Sequence, residues 1–220
     1  MAGNQGKGAI FDLDGTLLDS TRIWKTAGAR YLSGFGIAAP ADLGAVLFPM
    51  AMTEGAAYLK ARFDLPESIP AVVRGITRTV EGFYAEEAAL KPGARSFLAA
   101  MGRAGVSMAL ATASGRGPVT AVLTRLNIED AFAAVLICDE VGAGKASPAI
   151  YQAAAARLER KPEATWVFED ELTAIRTAAA AGFRTCAVFD AESADRWPAL
   201  CAAAGAAVMR LDAAVPLVLD

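Results

Sequence analysis

Five short apolar runs in the sequence predict β-strands that are buried on both faces. Each run is almost continuously apolar instead of alternating with polar residues, which is typical of central strands in a parallel sheet. The runs are Gly8–Asp12, Val106–Thr112, Ala134–Cys138, Thr165–Asp170 and Thr185–Asp190. Helical segments separate the last four runs, and this alternation predicts an α/β fold with a doubly wound parallel sheet.

The helical segments have clear start and stop residues. Ser147 is a good N-cap for a helix over Pro148–Leu158, and Gly182 is a good C-cap for a helix over Leu172–Ala181. Other predicted elements are helices over Ala94–Met101 and Val119–Leu126, a helix in the tail, and a last strand near Ala207–Arg210.

The first strand is separated from the second by a long helical segment. Helices are indicated at about 20–34, 53–63 and 67–88, with Gly and Pro between them. This segment is too long for a crossover and too organised for a loop. We therefore predict an inserted α-helical domain over residues 20–88, and an α/β core formed by residues 1–19 and 89–220.

Composition and charge narrow the class of protein. The 220 residues are 55% hydrophobic and 20% charged, with a net charge of −3, which is typical of a soluble globular protein. The basic residues are scattered, so no nucleic-acid surface is expected. Charged residues or Gly break the apolar stretches too early for a membrane span. We expect a cytoplasmic protein, because three widely spaced cysteines do not suggest a disulfide framework or a zinc site.

The chain contains no histidine. This excludes histidine-based triads, histidine metal ligands and a histidine proton shuttle. Any acid–base or metal chemistry must therefore use carboxylates, lysine, hydroxyl groups and the backbone.

Polar residues follow several of the predicted strands. Ligands of open parallel sheets bind beyond the carboxyl ends of the strands, so these residues are expected to meet at one edge. They are Asp12, Asp14, Thr112, Glu169 and Asp170, with Lys145 in the loop after the third strand.

The first pair of carboxylates suggests a cation site. Asp12 and Asp14 are two residues apart, so on extended backbone they face the same way, roughly 6–7 Å apart. Buried like charges at this distance need a shared proton or a cation, and Mg²⁺ binds through one or two carboxylates plus phosphate oxygens. Gly15 then permits a tight turn. The alternative is an Asp-rich turn that caps a helix.

The other strand-end residues also allow two interpretations. Thr112, with Ala113 and Ser114 entering a helix, forms an anion-binding arrangement or a plain N-cap. Lys145 either neutralises charge in a tight loop or is solvated. Glu169 and Asp170 either bind an ion or cap the following helix, and on a continuing strand at most one of them would face the ion.

Two acidic clusters, a hydroxyl group and a lysine around one point describe a phosphoryl-transfer site, which needs charge neutralisation and in-line positioning. A carboxylate nucleophile can form an aspartyl-phosphate. The sequence has no Walker-type glycine loop, which argues against nucleotide triphosphate chemistry of that type.

Four motifs, in order along the chain, resemble the haloacid dehalogenase-like superfamily of phosphatases. The matching segments are Asp12–Ser20, Leu110–Thr112, Gly144–Pro148 and Val167–Asp170, the last followed by Ala174-Ile175 and Ala180–Gly182. Ala146 stands where the third motif usually has Pro. The resemblance covers essentially the whole chain.

The resemblance implies roles for these residues. Asp12 would be the nucleophile, and Asp14 the general acid/base that protonates the leaving oxygen and then activates water. Thr112 and Lys145 would hold the phosphoryl oxygens, and Lys145 would also orient Asp12. Ala113 and Ser114, which lead into a helix after Thr112, are the other predicted phosphate-binding residues.

The resemblance also implies a cofactor and a function for the insert. Mg²⁺ would sit on Asp12, the backbone carbonyl of Asp14 and Asp170, with Glu169 acting through water. The helical insert resembles the family's α-helical cap, which closes over the substrate and excludes water.

Asp14 and Thr16 favour phosphate esters over the dehalogenases of the superfamily. The branch that looks most similar contains phosphoglycolate phosphatase, sugar-phosphate phosphatases and β-phosphoglucomutase. The expected substrate is thus a small phosphorylated metabolite. A phosphomutase stays an alternative, although the mutase tends to use a cap histidine. A non-catalytic binding or regulatory protein is a second alternative. Candidates for substrate contacts are Arg116, Arg22 and Arg74, each of which could instead be a solvated residue on a helix face.

Overall fold

The computed structural model describes residues 6–47, 50 and 52–219. The chain divides into two compact units. One is formed by Met1–Asp19 and Ala89–Asp220 and is an α/β unit; the other is Ser20–Ala88 and is helical. That the helical unit acts as a cap stays a prediction.

Strands in the described residues form one large sheet and one small one. They are β1 (Gly8–Phe11), β2 (Leu18–Asp19), β3 (Ala89–Leu90), β4 (Ser107–Thr112), β5 (Ala134–Ile137), β6 (Thr165–Glu169), β7 (Arg184–Val188) and β8 (Ala206–Val208). The large sheet has the order β5-β4-β1-β6-β7-β8, and all its pairs are parallel. The antiparallel pair β2–β3 joins the two segments of the α/β unit, Leu18–Asp19 from the first and Ala89–Leu90 from the second.

Helices surround the sheet and make up the insert. The insert contains α1 (Arg22–Ser33), α2 (Leu43–Leu47), α3 (Met52–Phe63) and α4 (Ile69–Glu86). The α/β unit contains α5 (Ala94–Arg103), α6 (Arg116–Leu126), α7 (Cys138–Val141), α8 (Ala149–Arg157), α9 (Leu172–Ala180), α10 (Trp197–Ala203) and α11 (Val215–Leu219). None of the helices in the described ranges is long and apolar enough to span a membrane.

Strand β1 lies at the centre of the sheet and is buried on both faces. Ile10 belongs to a cluster on one face with residues of α8, including Tyr151. Phe11 is stacked on Phe168 at a ring-centroid distance of 4.9 Å, and Phe97 meets Phe168 edge-on at 5.2 Å. Aromatic pairs of this kind add about 0.5–1.5 kcal/mol beyond the burial of their area. These contacts explain the continuous apolar run of β1.

The doubly wound α/β fold predicted from the sequence is confirmed, with different element boundaries. Four of the five predicted strands stop one or two residues before their predicted carboxyl ends, whereas the strand predicted to end at Thr112 does end there. Helix α8 starts at Ala149 instead of Pro148, and α6 starts at Arg116 instead of Val119. Pro118 is tolerated in the first turn of α6, because an N–H there has no helical partner.

Some elements were missed altogether. These are β2 and β3, of two residues each, and the short helices α2, α7 and α11. Elements of two to five residues are too short to show a hydrophobic period.

Gly75 lies where helix α4 packs closely on helix α1. A Cβ atom at Gly75 would come within 2.2 Å of the Tyr31 ring, whereas a Cβ at Gly82, on the same helix, would meet nothing within 4 Å. We expect Gly75→Ala to destabilise the protein by about 1–3 kcal/mol through overpacking. Gly82→Ala should be neutral or stabilise it by up to about 1 kcal/mol, because Ala favours helix. Urea unfolding of both variants checks this, and equal effects would contradict the close packing.

Candidate active site

Three buried carboxylates meet where strands β1 and β6 end. Oxygen atoms of Asp12, Glu169 and Asp170 all lie within 4.8 Å of one another. The parallel register aligns Phe11 with Phe168, and the Asp12 amide donates to the Phe168 carbonyl at 3.0 Å. The residues that follow these two positions are therefore neighbours.

The end of strand β6 decides how two adjacent residues reach the same point. The strand stops at Glu169, so Asp170 is outside the pleat and does not have to face the opposite way. Glu171 instead caps the following helix, because its side chain accepts a hydrogen bond from the Ala174 amide at 2.8 Å. Glu171 is therefore the side-chain cap of α9, and neither Glu169 nor Asp170 occupies that position.

Lys145 supplies the positive charge in this cluster. Its ammonium group forms a very short ion pair with Asp12, and it lies 2.6 Å from Oε1 of Glu169. Its side chain is only 15% exposed, so the alternative of a solvated lysine is wrong. With all groups ionised, three carboxylates and one ammonium leave two negative charges without a counter-charge.

One oxygen of Glu169 is buried and lacks a partner. Tyr151 donates its hydroxyl hydrogen to Oε1 of Glu169 at 2.9 Å, but Oε2 has no hydrogen-bond partner among the described residues. A buried carboxylate oxygen without a partner is costly, and such groups normally bind water or a ligand. Residues Asp12, Glu169 and Asp170 could hold a metal ion here.

Burial has the largest effect on the pKa values of Asp12 and Asp170. It raises the pKa of Asp12 well above its ordinary value, and Glu169 and Asp170 raise it further, against the opposing effect of Lys145. Burial and the charge of Glu169 raise the pKa of Asp170 to about 7. Burial lowers the pKa of Lys145, but the attraction of Asp12 and Glu169 outweighs it, so this pKa lies above its ordinary value.

A turn after β1 connects Asp14 and Thr16 to neighbouring strand ends. Gly15 adopts a positive φ of 82°, which a residue with a side chain rarely accepts. Ser114 donates its hydroxyl hydrogen to the Asp14 carboxylate at 2.6 Å. Thr16 donates to Oδ1 of Asp170 at 3.1 Å. The Asp14 carboxylate is outside the group of three that could hold a metal.

Thr112 ends strand β4 and is fully buried. Its Oγ1 accepts a hydrogen bond from the Ser114 amide at 3.0 Å. The N-cap position of helix α6 is occupied by Gly115, so the alternative that Thr112 is a plain N-cap is wrong. The phosphate-binding role of Thr112, Ala113 and Ser114 stays a prediction.

The three arginines proposed for substrate contacts have different surroundings. Arg116 pairs with Glu140 through two hydrogen bonds, of 2.9 and 2.5 Å, and donates to the Val135 carbonyl at 3.0 Å. Arg22 and Arg74 are exposed residues of the helical unit, and Arg22 lies 6.0 Å from the centre of the Phe83 ring. Their role in substrate binding stays a prediction.

Sequence reasoning missed Tyr151 and Lys91. Tyr151 lies on the apolar face of a predicted helix. In the sequence, only its hydroxyl group among apolar neighbours could have indicated a polar contact. Lys91 donates to the carbonyls of Gly15 and Phe189, both at 2.5 Å, and to Asp190 at 3.0 Å. Nothing in the sequence around Lys91 indicates contacts with residues so distant along the chain.

A family model described as haloacid dehalogenase-like hydrolase matches residues 7–182. The match includes strands β1 to β6, helix α9 and all three carboxylates of the cluster. The chain belongs to the haloacid dehalogenase-like hydrolase family. The resemblance inferred from the four motifs is thus confirmed, and the protein is a hydrolase of this family.

Named members of the haloacid dehalogenase-like family are similar to this chain over most of their length. "Phosphorylated carbohydrates phosphatase" of Thermotoga maritima is 28% identical over 173 residues, 79% of this chain and 80% of the relative. "Hexitol phosphatase B" of Escherichia coli is 28% identical over 186 residues, 82% of each chain. A crystal structure from Thermotoga maritima with the provisional name beta-phosphoglucomutase has a TM-score of 0.84 and 25% identity, over 96% of this chain and 98% of that one.

The repulsion in the cluster predicts how stability depends on pH when divalent cations are removed with EDTA. The pKa of Asp170 in the folded protein lies above its unfolded value, so the folded state binds the extra proton between about pH 4 and pH 7. The contribution of Asp170 to the free energy of unfolding is therefore fully present below about pH 4 and is lost as the pH rises through about 7.

Asp170→Asn should therefore flatten the decline of Tm between pH 5 and pH 8 and raise Tm at pH 8, by about 2–4 °C for each kcal/mol of relieved repulsion. The control Asp130→Asn, at an exposed carboxylate, should keep the wild-type slope. Thermal unfolding in EDTA measures this. A lower Tm of Asp170→Asn at pH 8, with the slope unchanged, would contradict the repulsion.

Proposed function

We propose that this chain is a Mg²⁺-dependent phosphatase that hydrolyses a small phosphorylated metabolite through an aspartyl-phosphate on Asp12. A sugar phosphate or a phosphoglycolate-like ester is the expected substrate. The observation that carries the proposal is the buried cluster of Asp12, Glu169 and Asp170 around Lys145, within 4.8 Å for the three carboxylates. The printed names of the two phosphatase relatives support a phosphorylated carbohydrate.

The donor set of the cluster fits Mg²⁺. Carboxylate oxygens are the ligands this ion prefers, and two uncompensated charges match a divalent cation. The partnerless Oε2 of Glu169 provides a further acceptor. We expect Asp12, Asp170 and the backbone carbonyl of Asp14 to hold the ion, with Glu169 acting through water. When bound, Mg²⁺ would favour the ionised carboxylates and neutralise charge on the phosphoryl oxygens.

In the first proposed step, a carboxylate oxygen of Asp12 attacks phosphorus and the bond between phosphorus and the ester oxygen breaks. Asp14, in its protonated form, gives its proton to that oxygen, which leaves as an alcohol. Lys145 stabilises the negative charge on the phosphoryl oxygens, because its ammonium group is already held beside Asp12. The product on the enzyme is an aspartyl-phosphate.

In the second proposed step, Asp14 accepts a proton from a water molecule whose oxygen attacks phosphorus. The bond between phosphorus and Asp12 breaks, inorganic phosphate leaves, and both aspartates return to their initial state. The hydrogen bond from Ser114 to Asp14 supports this role. It orients the Asp14 carboxylate through a neutral hydroxyl group and not through a salt bridge. One group thus serves as acid and then as base.

Replacing the proposed nucleophile tests the proposal. We expect Asp12→Asn to reduce Mg²⁺-dependent hydrolysis of p-nitrophenyl phosphate on the order of 10³-fold or more, because an amide is a poor nucleophile. The exposed Asp130→Asn should retain wild-type activity. Phosphate release with MgCl₂, and with EDTA instead, is the measurement. Equal rates for wild type and Asp12→Asn would reject the nucleophile, and no metal-dependent turnover on a broad panel of phosphate esters would favour a non-catalytic protein.

The proposed acid role of Asp14 has its own signature. An alkyl ester such as a hexose 6-phosphate has a poor leaving group and needs the proton more than p-nitrophenyl phosphate does. We therefore expect Asp14→Asn to lower kcat/KM about 10²–10⁴-fold for the alkyl ester and clearly less for the aryl ester. Steady-state kinetics on both esters decide this, and losses of the same size would argue against general acid catalysis by Asp14.

A phosphomutase remains the second candidate, favoured by the fold shared with the Thermotoga maritima structure named provisionally as beta-phosphoglucomutase. Product analysis with β-glucose 1-phosphate separates the two activities. Free phosphate supports the phosphatase, whereas glucose 6-phosphate supports the mutase.

A further inference from the structure

We propose that Lys91 is a positioning residue that holds the Asp14–Thr16 turn in place for the general acid step. This inference rests on the proposed function, because it concerns the placement of Asp14. Lys91 lies just after β3, between that strand and helix α5, and is far from Asp14 in sequence.

The ammonium group of Lys91 bridges two separate segments of the α/β unit. It donates to the Gly15 carbonyl at 2.5 Å on one side, and to the Phe189 carbonyl at 2.5 Å and Asp190 Oδ2 at 3.0 Å on the other. A lysine ammonium has three donors, so these three acceptors use all of them. The Lys91 side chain is only 13% exposed and that of Asp190 only 3%. The contact is therefore well shielded from water.

The backbone of Lys91 holds the same turn a second time. Its amide donates to the Leu17 carbonyl at 2.8 Å. Within the turn, the amides of Leu17 and Leu18 donate to the Leu13 carbonyl, at 3.0 and 2.8 Å. The side chain of Lys91 thus bonds to Gly15 and its backbone bonds to Leu17, the residues on either side of Thr16.

Three consecutive residues of the turn are fixed to three different places. Asp14 accepts from Ser114 beyond β4, Thr16 donates to Asp170 beyond β6, and Gly15, between them, is held by Lys91. Among these three contacts, only that of Lys91 brings a positive charge. Gly15 is conformationally permissive, so its own backbone preference does little to keep the observed positive φ once a contact is lost. Loss of the Lys91 ammonium should therefore displace Asp14, while the buried Asp12–Lys145 pair stays in place.

Lys7 provides a matched control for the removal of a lysine. Its ammonium group donates to the carbonyls of Val218 and Leu219, at 2.9 and 3.1 Å, and is partly buried. It precedes β1, at the opposite end of that strand from Asp12. Replacing either lysine by Met removes the ammonium and leaves carbonyl acceptors without this donor, but only Lys91 contacts the turn.

The test compares wild type, Lys91→Met and Lys7→Met on a hexose 6-phosphate and on p-nitrophenyl phosphate, with MgCl₂, well below the Tm of each variant. For Lys91→Met we expect kcat/KM on the alkyl ester to fall about 10–100-fold, and on the aryl ester by less than about threefold, because a displaced acid matters most for a poor leaving group. Lys7→Met should keep the wild-type ratio between the two esters. A merely structural role of Lys91 would lower both esters equally.

Hydrogen exchange of the same three proteins provides a readout that does not need activity. We expect faster exchange in residues 13–18 for Lys91→Met and no change there for Lys7→Met. Equal losses on the two esters, or unchanged exchange in this segment, would overturn the proposal. If the wild type hydrolyses neither ester, the proposed function fails, and the exchange result alone decides whether Lys91 holds the turn.

Discussion

The repulsion between three carboxylates, crowded into a buried corner of the sheet, is the constraint on which the site depends. Asp12, Glu169 and Asp170 lie within 4.8 Å of one another, and the ammonium group of Lys145 offsets part of their negative charge. Such an arrangement costs stability, since burial and like charge both penalise ionisation. This loss of stability is consistent with a site that a cation and an anionic substrate complete. Functional sites are often less stable than the rest of the fold.

The fold creates this corner by placing β1 between β4 and β6. The chain reverses its direction of sheet growth around β1, so residues that follow these three strands come together at one edge, where open α/β sheets bind ligands. Aromatic packing of Phe11 and Phe168 fixes the register of β1 against β6. The turn from Asp14 to Thr16 then leaves the sheet at a glycine and is secured by side chains from beyond β4 and β6 and by Lys91. The rigid core thereby holds the proposed catalytic residues in place.

Much of this could be predicted from the sequence, because continuous apolar runs and their polar ends are local signals. Asp12, Lys145, Glu169 and Asp170 were identified from such positions together with the family resemblance. The contacts of Tyr151 and Lys91 could not be predicted, since each joins residues that only the three-dimensional fold brings together. The cap of α9 was also ambiguous, because three consecutive acidic residues could have supplied it and only backbone geometry selects Glu171.

The central claim is that Asp12 carries the phosphoryl group during turnover. Its most direct test is to mix the protein with MgCl₂ and excess sugar phosphate, stop the reaction with acid within the first turnovers, and examine the peptides by mass spectrometry. The account predicts one added phosphoryl group on the peptide that contains Asp12, lost on treatment with hydroxylamine and absent from Asp12→Asn. Rapid release of phosphate without any phosphorylated Asp12 peptide, or the same modification in Asp12→Asn, would contradict it.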